Sequence, residues 1–121
     1  MKKSVLIIED DPVLQNILWR QLSLSGYSPH SVRSGEEAME IAAEEPPAVI
    51  LLDVGLPGMS GFDTLERLHA NEKTRKIKVI MLTGQDANSD VMRGYQSGCF
   101  YYIPKPHRLS ELLRGLDMAT N

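Results

Sequence analysis

Cysteine is nearly missing from this chain, and so is any long apolar run. The single thiol, Cys99, excludes an intrachain disulfide, and with only three scattered histidines it leaves no ligand set for zinc. A chain without disulfides is expected in a reducing cytoplasm, and Cys99 beside Gly98 reads as a small core residue. Lys2-Lys3 precede only the five-residue run Ser4–Ile8, apolar but for Ser4 and ended by Glu9, too short for a signal peptide or a membrane span. Positive charge is not in excess either: the formal net charge is -3, which removes the electrostatic basis for nucleic-acid binding by this domain. Glycine-rich phosphate cradles are absent, with no GxGxxG after the first apolar run and no GxxxxGK[ST] anywhere. No linker, repeat or low-complexity segment divides the 121 residues, which have the length of one domain.

What the chain does have is centred on Ala48-Val49-Ile50-Leu51-Leu52-Asp53-Val54. An apolar run without alternation suits a central strand covered on both faces, and an ionisable residue at its end is costly unless it has a partner or a task. The Gly55-Leu56-Pro57-Gly58 punctuation takes the chain out of the sheet, so Asp53 is expected at the carboxyl edge of the strand. Two readings stand at this point: a functional carboxylate, or an Asp that merely caps the next turn.

In chain order, Ser4–Ile8 reads as a buried strand running into Glu9-Asp10-Asp11. Pro12 suits a first helical position with Asp11 as its cap, and Val13, Leu14, Ile17, Leu18 and Leu22 keep helical spacing up to Ser25-Gly26. Tyr27–Val32 is a weak strand whose Pro29 points to a sheet edge. Ser34-x-x-Glu37 can box the start of a helix near 35–45, closed by Pro46-Pro47. Phe62, Leu65 and Leu68 mark a third helix, and residues 71–76 read as a solvated link. Residues 77–82 form a fourth strand ending at Thr83-Gly84. Val91, Met92 and Tyr95 suggest a fourth helix, Phe100–Ile103 a fifth strand, and Leu109, Leu112, Leu113 and Leu116 a fifth helix over 108–118. Strands and helices in alternation call for an α/β fold, a parallel sheet with helices on both faces.

Groups at the carboxyl ends of such strands gather around one crevice, so Glu9, Asp10, Asp53, Thr83 and Lys105 can converge although they are far apart in sequence. Three carboxylates together need a cation, and hard oxygen ligands suit Mg2+. Acidic oxygens, a metal, a hydroxyl and an ammonium together fit a phosphoryl group delivered by another molecule.

The runs Val5–Asp11, Leu51-Leu52-Asp53, Leu56–Asp63, Leu82-Thr83-Gly84 and Tyr102–Pro106 make the chain resemble the receiver domain of response regulators, chemotaxis-regulator-like, over essentially its whole length. The resemblance implies a flavodoxin-like three-layer sandwich, a five-stranded parallel sheet of order 2-1-3-4-5 with five helices, and a single receiver domain over 1–121. It implies that Asp53 accepts a phosphoryl group from a histidine kinase or phosphotransfer histidine, with Mg2+ as cofactor. Asp10 matches the direct metal ligand, Glu9 a ligand acting more often through water, and Gly55 the residue whose backbone carbonyl reaches the metal. Thr83 matches the hydroxyl that turns toward the phosphoryl oxygens, Lys105 the ammonium that pairs with them, and Tyr102 the aromatic whose rotamer follows Thr83. Such a domain takes part in Mg-dependent phosphotransfer and autodephosphorylation without being a conventional enzyme with a separate substrate.

Against the family pattern, Pro29 replaces a common Val, Gly98-Cys99-Phe100-Tyr101 replaces a common Gly-Ala-Asp-Asp, and His107 replaces a frequent Phe. The added aromatics predict a face, made by the fourth helix, fifth strand and fifth helix of this reading, that binds a target protein or a second receiver. The alternative is a receiver-like docking module that is not phosphorylated.

Overall fold

A computed structural model describes residues 2–55, 60–83, 98–105 and 107–121. The elements run β1 (Ser4–Ile8), α1 (Pro12–Leu24), β2 (Ser28–Val32), α2 (Gly35–Glu44), β3 (Val49–Asp53), α3 (Gly61–Ala70), β4 (Lys78–Thr83), β5 (Tyr101–Pro104) and α4 (Leu109–Thr120). All strand pairs are parallel, in the order β2-β1-β3-β4-β5. Four helices lie among the described residues. The helix expected around Val91–Tyr95 falls outside them, and the fifth helix of the sequence reading is α4 here.

Strand alternation sorts the core into two layers. Leu6, Ile8, Ile50, Leu52, Val79 and Met81 point to one face, under Ala38 and Ala42 of α2 and Leu65 and Leu68 of α3. Val5, Ile7, Leu51, Ile80, Leu82 and Ile103 point to the other, under Leu18 and Leu22 of α1 and Leu112 and Leu116 of α4. Because β3 is covered on both sides, residues 49–52 are all buried, and each such Leu or Ile contributes about 1.5–3 kcal/mol of burial. That two-sided cover brings Asp53 out at the sheet's carboxyl edge.

The helix starts follow the expected chemistry. The Asp11 carboxylate accepts from the Val13 N–H at 2.9 Å, and the Ser34 hydroxyl accepts from the Glu37 N–H at 3.2 Å. Ser60 does the same for α3, accepting from the Asp63 N–H at 3.1 Å. Gly26, at φ 92°, turns the chain after α1, a conformation glycine adopts without penalty.

Pro29 lies on the edge strand, and the hydrogen bonds show why it is accommodated. The Ser28 N–H donates to the Lys3 carbonyl at 2.9 Å, and the Val32 carbonyl accepts from the Glu9 N–H at 3.1 Å. Even-numbered residues of β2 therefore present their main chain to β1, while Pro29 and Ser31 turn theirs to the open edge.

One sequence expectation is corrected. The 71–76 link is not uniformly solvated: Thr74 is buried, and its hydroxyl donates to the Leu68 carbonyl at 2.6 Å, tying the link beneath α3. The aromatics before Lys105 do not form one exposed patch among the described residues. Tyr101 and Tyr102 face opposite sides of the sheet because strand neighbours alternate. Tyr101 lies over Gly115 of α4, and Tyr102 is buried with Met81 and Cys99. Phe100 is 37% exposed, with the Lys78 ammonium 4.9 Å from its ring centre, and Tyr95 lies outside the described residues. No helix among the described residues is long and apolar enough to cross a membrane.

Candidate functional site

The parallel sheet carries β1 and β3 side by side, pairing Ile8 with Leu52, so the next residues, Glu9 and Asp53, leave adjacent strands at the same level. Glu9 is 3% exposed, Asp53 is half-buried and Asp10 faces solvent. Carboxylate oxygens of all three lie within 4.8 Å of one another. Lys105, the first residue after β5, brings its ammonium to 3.3 Å from Asp53 Oδ1 and 3.7 Å from Glu9 Oε1. Thr83 is the last residue of β4, paired with Pro104, and so stands at the same edge of the sheet.

The Asp53 carboxylate caps its own turn and also faces charged partners. Its Oδ1 accepts from the Gly55 N–H at 3.1 Å, the turn-capping bond of an Asp after a strand, and the same carboxylate faces Lys105 and Glu9. Gly55 itself is exposed and held beside Asp53 by that bond.

One ammonium does not balance three carboxylates, and the deficit falls on the most buried of them. Burial, a hydrogen bond with Asp53 and the negative charges of Asp53 and Asp10 push the Glu9 carboxyl up to about 8, against the pull of Lys105. Among the described residues this is the one cluster of side chains able to hold a metal ion. Its donors are all hard oxygens, and its surplus negative charge is what a divalent cation relieves, so the residues fit Mg2+.

Two titratable groups outside the acidic cluster sit in altered surroundings. Burial lowers the His107 imidazole from its ordinary value, helped by Lys105 and opposed by Glu111; His107 lines a small hollow with Leu14, Ile17, Gln21 and Lys105. Burial pushes the Cys99 thiol up to about 11, which keeps it a neutral core group.

The structure thus brings together Glu9, Asp10, Asp53 and Lys105 and places Gly55 and the backbone of Thr83 alongside. Tyr102 is buried on the α3 side of β5. Sequence reasoning gave no role to Gly61. A Cβ there would lie 2.6 Å from the Asp53 carbonyl oxygen and 2.6 Å from Val54 Cα, so α3 can start against the Asp53 backbone only because this residue has no side chain. The signal available was Gly61 directly after the helix-capping Ser60, but its proximity to Asp53 is a tertiary fact.

The chain is 39% identical over 106 residues to the polar-differentiation response regulator DivK of Brucella ovis, a match covering 88% of this chain and 86% of that protein. It is 34% identical over 109 residues to the DNA-binding dual master transcriptional regulator RpaA of Synechocystis sp., covering 90% of this chain and 45% of RpaA, so it spans about half the length of that relative. Among solved structures, the receiver domain of the sensor histidine kinase PA1611 from Pseudomonas aeruginosa PAO1, with a magnesium ion coordinated in its active-site cleft, superposes with a TM-score of 0.91 at 29% identity, covering 99% of this chain and 98% of that one. The family described as the response regulator receiver domain matches residues 5–117, and with the sheet order and the acidic cluster already in place, this chain belongs to that family.

Proposed function

We propose that this domain accepts a phosphoryl group on Asp53 from a histidine kinase or phosphotransfer histidine and thereby switches a protein-binding surface in the cytoplasm. The observation that carries the reading is the placement of the Lys105 ammonium 3.3 Å from Asp53 Oδ1 within a cluster of three carboxylates. In the transfer, an Asp53 oxygen attacks phosphorus, the P–N bond of the phosphohistidine breaks with its electron pair remaining on the imidazole nitrogen, and an acyl phosphate forms. Lys105 is assigned the pairing with the phosphoryl oxygens as charge moves onto them, a role its ion pair with Asp53 supports. Thr83 is assigned the hydroxyl contact on its residue type and its place at the end of β4. Glu9, Asp10, Asp53 and the Gly55 carbonyl would hold Mg2+, which when bound neutralises charge on the entering phosphoryl group.

The switch proposed for Thr83 and Tyr102 moves the populations of two packings around β5. The face formed by the segment before β5, β5 and α4 is assigned to a target protein or a second receiver. The exposed Phe100, Leu109 and Met118 support that reading.

Incubation with Mg2+ and acetyl phosphate tests the proposal: the intact chain gains the mass of one phosphoryl group and Asp53→Asn gains none. Labelling of Asp53→Asn at the rate of the unaltered protein, or none of either, refutes it; the second result favours the docking module.

A further inference from the structure

The turn that carries Glu9 and Asp10 is held by a side chain outside the acidic cluster. Gln15, one turn into α1, donates from Nε2 to the Glu9 carbonyl at 3.1 Å and to the Val32 carbonyl at 3.1 Å, so both hydrogens of its amide are used. The Glu9 N–H donates to the same Val32 carbonyl at 3.1 Å. The peptide groups on both sides of Glu9 are thus fixed, one by the strand and one by Gln15.

We infer that Gln15 is a positioning residue for the acidic pair, its amide fixing the peptide plane between Glu9 and Asp10 so that the two carboxylates are preset for a hard divalent cation. The Glu9 carbonyl belongs to the peptide that joins these two residues, and rotation of that plane swings Asp10 relative to Glu9. The sheet does not restrain it: the β1–β2 ladder is already registered by five residue pairs and ends at Ile8 with Val32, one residue short. Gln15 has a firm base for the task. Its own N–H donates to the Asp11 carbonyl at 2.9 Å, and the Asp11 carboxylate caps Val13, so the turn and the first helical turn brace each other. A support that orients ligands sets metal affinity without touching the metal.

The inference rests on the phosphoacceptor reading, and the experiment separates the two. Mg2+ is titrated calorimetrically into the full chain, into Gln15→Met, which fills the same space without donors, and into Thr74→Ala, which loses a buried hydrogen bond below the opposite end of the sheet. Gln15→Met is expected to bind Mg2+ about 10-fold more weakly, while Thr74→Ala binds as the unaltered chain does. Unchanged affinity in Gln15→Met, or an equal loss in Thr74→Ala, overturns the role of Gln15. No binding by the unaltered chain overturns the metal reading itself and this inference with it. Folding is checked by circular dichroism. If Gln15→Met does not fold, Gln15→Asn, with the amide one methylene short of its carbonyls, replaces it and is judged by the same outcomes.

Discussion

Gly61→Ala tests whether the seating of α3 fixes the Asp53 backbone. The added Cβ would stand 2.6 Å from the Asp53 carbonyl oxygen, 2.6 Å from Val54 Cα and 3.1 Å from the Asp53 carbonyl carbon, and all three are main-chain atoms that no rotamer change can move. Relief to an ordinary contact requires a displacement of about 0.8 Å in a region packed at crystal-like density. The Gly61 N–H also donates to the Val54 carbonyl at 3.1 Å, and the same displacement stretches that bond beyond useful reach. Overpacking of about 1–3 kcal/mol plus about 1 kcal/mol for the weakened bond gives an expected loss of about 2–4 kcal/mol. Gly55→Ala is the matched comparison. Among the described residues its Cβ would meet only Asp53 Oδ1, at 3.9 Å, so it should stay within about 0.5 kcal/mol of the unaltered chain. Urea unfolding gives both numbers, and acetyl phosphate labelling should be slower in Gly61→Ala than in the unaltered chain. Equal stability of the two variants would refute the reasoning.

Three further outcomes follow from the site and its surroundings. Glu9 holds a proton in the folded chain up to about pH 8, whereas the unfolded chain releases it near pH 4.5, so its stabilising contribution is complete below 4.5 and is lost as pH rises to about 8; Mg2+ must displace that proton, and calorimetry should show affinity climbing from pH 6 to about 8 in the unaltered chain but not in Glu9→Gln, a flat profile counting against it. Lys105→Ala removes the positive charge that opposes a cation, so Mg2+ should bind more tightly while phosphorylation no longer shifts the amide NMR signals around β5; unchanged shifts would sink its proposed role. Tyr101→Ala strips a ring from above Gly115 and should cost about 1–3 kcal/mol in urea unfolding with Asp53 labelling intact, and lost labelling would place Tyr101 in the site instead.

The parts of the fold legible in the sequence were those written as local pattern. The unbroken run before Asp53 gave a strand covered on both faces, Asp11-Pro12 gave the start of α1 to the residue, and Pro29 gave the edge. The convergence of Glu9, Asp10, Asp53 and Lys105 was legible because a parallel sheet sends every strand's carboxyl end to one side, whatever lies between them. Contacts between elements had no local signature. Thr74 looks like one more polar residue in a polar link, and only the approach of α3 gives its hydroxyl a buried carbonyl to meet. Tyr101 and Tyr102 look alike in sequence, and the phase of β5 decides which packs on α4 and which lies under the opposite layer. Gln15 reads as the polar side of an amphipathic helix until the ends of two strands come within reach of its amide.

Pro29 has a consequence for the molecule at high concentration. Its ring stands where an outward N–H would otherwise offer itself to another chain, and along β2 the alternation leaves Ser31 as the next residue with its main chain turned outward. A foreign strand laid against this margin would find a donor missing near the start of the ladder and a ring in its way. The sheet therefore resists growth by strand addition from the β2 side, and a signalling domain that must meet partners through chosen faces is spared indiscriminate polymerisation through this one.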